Sequence, residues 1–124
     1  MKIIISDHRK IIALQAEFNA LFPYLKIEFL QKSNLNRSEA QKKSSKIGDI
    51  TVADCRTFHN KGELAVNDSM TVAQMEDNFR DVYGLEVQLL RKSGKTWLET
   101  SVTSDWTLRK QNEEGKALSY KFDL

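Results

Sequence analysis

The chain holds one cysteine, Cys55, and one proline, Pro23, in 124 residues. A lone thiol excludes an internal disulfide and suits a reducing compartment, so a cytoplasmic setting is expected. There are two histidines, His8 and His59, and neither a CxxC nor an HxxxH pair. A zinc centre needs three or four ligands at workable spacing, so no metal site is expected. Five scattered glycines form neither GxGxxG nor GxxxxGK, which removes the phosphate-cradling loops and any nucleotide cofactor bound through them. The longest apolar run at the N-terminus is Ile3-Ile4-Ile5. That is short of the roughly 7–15 residues of a signal-peptide core, and no run nears the ~18–20 of a membrane span. Neither sign of charge dominates, with 19 basic against 17 acidic side chains and a net charge of +2. Collagen, disulfide scaffolds and fully disordered chains are excluded, and the length suits one domain over residues 1–124.

What is present is a set of alternating periods. Lys2 to Ile5 is a β-branched run fit for a strand. Ser6 or Asp7 can cap a helix, and Ile11, Leu14, Phe18, Leu21 and Phe22 mark one helical face that Pro23 ends. Leu25, Ile27 and Phe29 then alternate as a strand. Residues 33–49 have no period and read as a flexible basic loop. Ile50 to Phe58 reads as a strand, followed by a turn at 59–62 and a strand from Glu63 to Val66. Thr71 and Gln74 form a capping-box pair, and Val72, Met75, Phe79, Val82 and Tyr83 mark a second helix closed by a left-handed Gly84. Leu85, Val87 and Leu89 alternate, a Ser93-Gly94 turn leads into a return strand, and Trp106–Glu114 is a last helix stopped by Gly115. The tail ALSYKFDL alternates as an edge strand would.

The two helical units resemble each other. Residues 2–22 align with 63–83, and 25–33 with 85–93, with six identities in thirty pairs, Asp7/Asp68 and Phe18/Phe79 among them. The expected fold is α+β, a two-layer sandwich of two similar βαβ units plus a hairpin, with helices on one face of a mixed sheet and a short C-terminal helix. The arrangement would be ferredoxin-like, or β-grasp-like in the C-terminal half, whose order resembles ubiquitin-like proteins without their C-terminal Gly-Gly. The phrases DCRTFHNKGELAV, MTVAQMEDNF, VYGLEVQLLRKSG, WLET and DWTLRKQNEEG resemble a family of small uncharacterised proteins from Bacteroidetes-type bacteria. That resemblance implies a bacterial, cytoplasmic setting and supplies no site.

No catalytic constellation assembles. In a strand over 50–58, Cys55 and His59 would stand roughly 13 Å apart, too far for a thiolate–imidazole pair. The acid pairs Glu76/Asp77 and Glu113/Glu114 read as solvated helix faces. Two contact surfaces remain. By alternation Leu30, Leu90 and Trp97 share the sheet face away from the helices, with Leu90 opposite Trp97 and Leu89 opposite Leu98. A Leu–Trp pair left in water forgoes roughly 2–4 kcal/mol, so either the chain's last segment (Trp106, Leu108, Leu118, Tyr120, Phe122) or a protein partner, a second copy included, should cover it. The leading expectation is a non-enzymatic protein-interaction or self-associating module. The alternative is a nucleic-acid-binding accessory protein using Lys42, Lys43 and Lys46 of the loop with Arg91, Lys92 and Lys95 at the hairpin tip.

Overall fold

The computed structural model describes the backbone of residues 1–30 and 47–122, and their side chains save those at 47 and 120–122. Five strands and three helices follow in the order β1 (Lys2–Ile5), α1 (Ile11–Leu21), β2 (Leu25–Phe29), β3 (Gly62–Ala65), α2 (Val72–Tyr83), β4 (Val87–Ser93), β5 (Thr96–Glu99) and α3 (Leu108–Phe122). Short 3-10 turns occupy Ile47–Asp49, Val52–Cys55 and Ser101–Thr103. The chain is α+β, its helices packed on antiparallel strands around one apolar cluster.

The single mixed sheet is replaced by two antiparallel sheets, β1-β3 and β2-β4-β5. Each strand–helix–strand unit spans both sheets: its helix carries the chain from the smaller sheet to the larger. Strands therefore pair between units, and the parallel crossovers of a ferredoxin-like sheet are not made. The registers carry the symmetry. Ile3 pairs with Leu64, and Glu28 with Gln88. Each of those residues faces its own counterpart in the sequence alignment, as an approximate two-fold axis through both pairs requires.

The repeat also extends further than the sequence indicates. Ile11 N–H donates to the Ile50 carbonyl at 2.9 Å, as Val72 N–H does to Trp106 at 3.1 Å. Val52 N–H donates to Arg9 and Leu108 N–H to Met70, both at 2.9 Å. Ala53 N–H meets the Asp7 carbonyl at 3.2 Å, and Arg109 N–H meets Asp68 at 3.0 Å. Residues 50–55 thus match 106–111, the start of α3.

That match corrects the strand expected over 50–58. Thr51 and Asp54 form a capping box, with the Asp54 carboxylate accepting from Thr51 N–H at 2.9 Å. Val52 and Cys55, three apart, both turn into the core. The β-grasp order loses its first strand with it. Asp7 is not a helix cap either, since the α1 N-cap is Lys10, without a side-chain bond. Of the expected loop, 33–46 lies outside the described residues. The Thr71–Gln74 capping box and left-handed Gly84 (φ 66°) stand as expected.

The core joins both units through Ile3, Leu14, Phe18, Ile27, Met75, Phe79 and Leu89. Phe29 meets Phe79 edge-on, 5.6 Å between ring centres, so each unit's rings pack into the other. From matched positions on the two helices, Gln15 Nε2 donates to the Ile27 carbonyl (2.9 Å) and Glu76 Oε2 accepts from Leu89 N–H (3.1 Å), though Ile27 and Leu89 are not themselves counterparts. Both side chains serve strand backbone that lacks a partner strand there. Burial pushes the Glu76 carboxyl up, although the Leu89 bond pulls the other way. An acid with a raised folded pKa is a burden at neutral pH that lifts as the pH falls. Glu76→Gln keeps an acceptor and sheds the charge, so it should raise stability by about 0.5–1 kcal/mol at pH 7. The gain should vanish near pH 4 in parallel urea titrations.

Candidate functional site

Leu30, Leu90 and Trp97 lie on one sheet face, as alternation predicts, but their surroundings differ. The hairpin closes with Ser93 paired to Thr96, so the two-residue turn is Gly94-Lys95 rather than Ser93-Gly94. Gly94 takes φ 61° at the first central position, as a type II′ turn needs. The register moves by two: Leu90 pairs with Glu99, Leu98 with Arg91 and Trp97 with Lys92. An even slip keeps every side chain on its expected face while changing its neighbour. Trp97 is partly covered, with the Lys26 ammonium 5.4 Å from its ring centre.

The last segment does not run as a strand over this face. Instead α3 continues through Gly115 to Phe122 and docks at the end of β4 on the opposite, helical side. Leu108 joins the main core. Gln111 accepts from Arg91 Nη1 at 3.0 Å, and Asn112 Oδ1 accepts from Tyr24 N–H at 3.0 Å. Trp106 lies between Arg91, at 5.5 Å, and Lys110, at 4.1 Å.

Among the described residues, a groove of about 790 Å³ lies between α1 and the outer side of β2. Ile12 and Ala16 form one wall, Phe29 and Leu30 the other, with Ile50 and Trp97 among its remaining lining. Ile12 is 52% exposed and Leu30 48% exposed, whereas Leu90, the counterpart of Leu30, is 8% exposed. The charges at the rim cancel, because Lys26 lies 3.5 Å from Glu28.

The proposed basic surface divides. Lys42, Lys43 and Lys46 lie outside the described residues. Arg91 points to the helical side, held by Gln111 and Trp106, and its Nε finds no acceptor among the described residues. Lys92 lies on the outer face opposite Trp97, and Lys95 is exposed in the turn. Neighbours in sequence, Arg91 and Lys92 therefore do not share a patch.

Cys55 and His59 are not brought together as a reactive pair. Cys55 is buried in the core cluster, while the exposed His59 presents Nδ1 to Asp7 Oδ2 at 2.7 Å. Among the described residues no group of three His, Cys, Asp or Glu side chains could hold a metal ion. No helix among them is long and apolar enough to cross a membrane.

Sequence reasoning missed the group around Arg56. Its fully buried guanidinium donates through Nε and Nη2 to Asp7 Oδ1 at 3.0 and 2.8 Å. Nη1 reaches the Asn60 carbonyl at 2.6 Å and the Tyr83 carbonyl at 3.0 Å, the latter in the last turn of α2. Burial pushes the Asp7 carboxyl up, but bonds from His59 and Arg56 outweigh it and hold the group below the usual carboxylate range. These contacts brace the loop before α1 and the segment after Cys55 against the end of α2. A signal existed: Asp7 and Asp68 are identical in the repeat, and Asp68 likewise binds an arginine, Arg109, at 3.0 Å. No family model, curated protein or solved structure matches the chain.

Proposed function

We propose that the chain is a non-enzymatic protein-interaction module whose contact surface is the groove between α1 and β2. The observation that carries this is the contrast between aligned leucines, with Leu30 half exposed where Leu90 is buried. Ile12 faces the same groove and is also half exposed. Covering the two would return roughly 1–2 kcal/mol apiece, enough for a moderate contact once Trp97 adds an aromatic anchor. A rim whose charges cancel suits a polypeptide better than a phosphate backbone, and with Arg91 engaged inside the fold the nucleic-acid alternative is the weaker one.

The test is association by the intact protein. Leu30→Glu and Ile12→Glu should each weaken its complexes, with a partner or with a second copy, by tenfold or more. Circular dichroism should remain that of the wild type, because both side chains are already half in water. Light scattering and photo-crosslinking from position 12 read the outcome. Association unchanged in both variants, with no crosslinked species, would remove the groove from the reading.

A further inference from the structure

The larger sheet ends on β5, and the ladder decides which backbone groups of that strand are free. Lys92 N–H donates to the Tyr24 carbonyl at 3.0 Å, so the backbone groups of Lys92 point away from β5. Bonded and non-bonded pairs alternate along an antiparallel ladder. Arg91 with Leu98 and Ser93 with Thr96 are therefore the bonded pairs. Trp97, opposite Lys92, and Glu99, opposite Leu90, turn their N–H and carbonyl groups outward. Among the described residues no other backbone group meets them. Thr96, Leu98 and Glu99 are exposed.

The edges of β2 and β1 are served from within the chain. Gln15 and Asn19 of α1 donate to the outward carbonyls of Ile27 and Leu25 on β2, both at 2.9 Å. Arg9 Nη1 donates to the Ile4 carbonyl on β1 at 2.9 Å. A bare row of donors and acceptors pairs readily with another strand, and proteins blunt such edges with proline, bulges or lysines. The β5 strand holds no proline, and its register with β4 runs without a bulge. The charges beside it are of opposite sign, with Lys95 two residues before Trp97 and Glu99 two after.

We propose that β5 pairs antiparallel with β5 of a second copy about a two-fold axis at Trp97, joining two three-stranded sheets into one. The charges select this occupant. In a two-fold contact, if one position faces another, the second also faces the first. With the axis at Trp97, Lys95 stands opposite Glu99 of the second copy, and Glu99 opposite its Lys95, so an attractive pair flanks the axis on each side. The two Trp97 residues then exchange main-chain bonds. Thr96 lies across from Leu98, which is 43% exposed in the single chain. The β3 edge is also open, but registers centred on it set Glu63 opposite Glu63 or Ala65 and match no charges. This contact goes beyond the groove reading, since it uses the rim of β5 and not the wall formed by Ile12 and Leu30.

The test is sedimentation equilibrium of the intact chain from micromolar to millimolar concentration, where a reversible monomer–dimer equilibrium is expected. Lys95→Glu and Glu99→Lys, both at exposed positions, should each raise the dimer dissociation constant about tenfold or more, because the two-fold counts each change twice. Combining them restores opposite charges and should bring the constant back to within about threefold of the wild type. Leu30→Glu, which is expected to weaken complexes made through the groove, should leave this pairing unchanged. Amide exchange supplies a second readout. Trp97 and Glu99 should gain protection as concentration rises, whereas Leu98, bonded to Arg91, should be protected throughout. A chain that stays monomeric at millimolar concentration, a dimer indifferent to both single reversals, or a double variant as weak as the single ones would overturn the proposal. A dimer weakened by Leu30→Glu and by neither reversal would assign self-association to the groove, so the β5 pairing would fall and the groove reading would stand.

Discussion

Arg56→Met should destabilise the protein by about 3–5 kcal/mol, because a fully buried guanidinium is withdrawn from two carbonyls and a half-exposed carboxylate. Methionine fills similar space, so the loss is electrostatic rather than a cavity. It leaves the Tyr83 and Asn60 carbonyls without their donor and the Asp7 carboxylate without its main counter-ion. For a domain of this size the melting midpoint should drop by roughly 10–20 °C, while the slope of a urea titration stays as in the wild type. Arg56→Lys should recover only part, because one ammonium cannot span Asp7 and two carbonyls in the directions of the guanidinium fork. The pH dependence gives a second signature. Asp7 has a lowered folded pKa, so its contribution is present above the usual carboxylate pKa and is lost as the pH falls through the folded value. Wild-type stability should fall from about pH 5 downward more steeply than that of Asp7→Asn. Equal slopes for the two, or a drop of less than about 1 kcal/mol for Arg56→Met, would show that the cluster is peripheral to the fold.

Which parts of this architecture could be read from sequence depends on the range of the interaction. Local periods and caps were legible: Leu25, Ile27 and Phe29 alternate because their strand buries one face, and Gly84 ends α2 because only a left-handed residue closes it there. Pairing was not legible. A period of two says which face a residue takes and nothing about which strand lies beside it, so two antiparallel sheets look the same as one mixed sheet. Residues 50–58 failed for a different reason. Their β-branched content favours a strand, but the Thr51–Asp54 capping box and two backbone bonds to the loop before α1 override that propensity. Arg56 and Asp7 stand 49 residues apart, and no local rule joins them. The groove was half legible. Leu30 and Leu90 share one face, as alternation predicts, but only strand pairing makes Leu30 the exposed member: Leu90 lies on the central strand between Lys26 and Glu99, whereas Leu30 follows the end of β2.

Gly115→Ala should destabilise the protein by about 1–3 kcal/mol, against the ordinary expectation for a glycine inside a helix. There, alanine usually gains about 0.5–1 kcal/mol by stiffening the unfolded chain and raising helix propensity. By its low helix propensity Gly115 reads as a helix terminator, yet α3 runs straight through it. The reason is proximity. A Cβ at this position would lie 2.9 Å from Tyr24 Cβ, 3.1 Å from the Tyr24 carbonyl oxygen and 3.2 Å from Arg91 Cγ. Two of those atoms belong to, or lie next to, the backbone that leads into β2, so they cannot swing aside. The helix must lift instead, which strains the bonds from Tyr24 N–H to Asn112 and from Arg91 to Gln111 that fasten it. Overpacking of this kind outweighs the propensity gain. Gly115→Val should cost more again, and amide exchange should quicken in α3 and at Tyr24 before it does in α1. Gly48 is the comparison: among the described residues a Cβ there meets nothing within 4 Å, so Gly48→Ala should be neutral or slightly stabilising. If Gly115→Ala matches Gly48→Ala in a thermal melt, close approach is not what holds a glycine at 115, and the docking of α3 on β4 is looser than these distances imply.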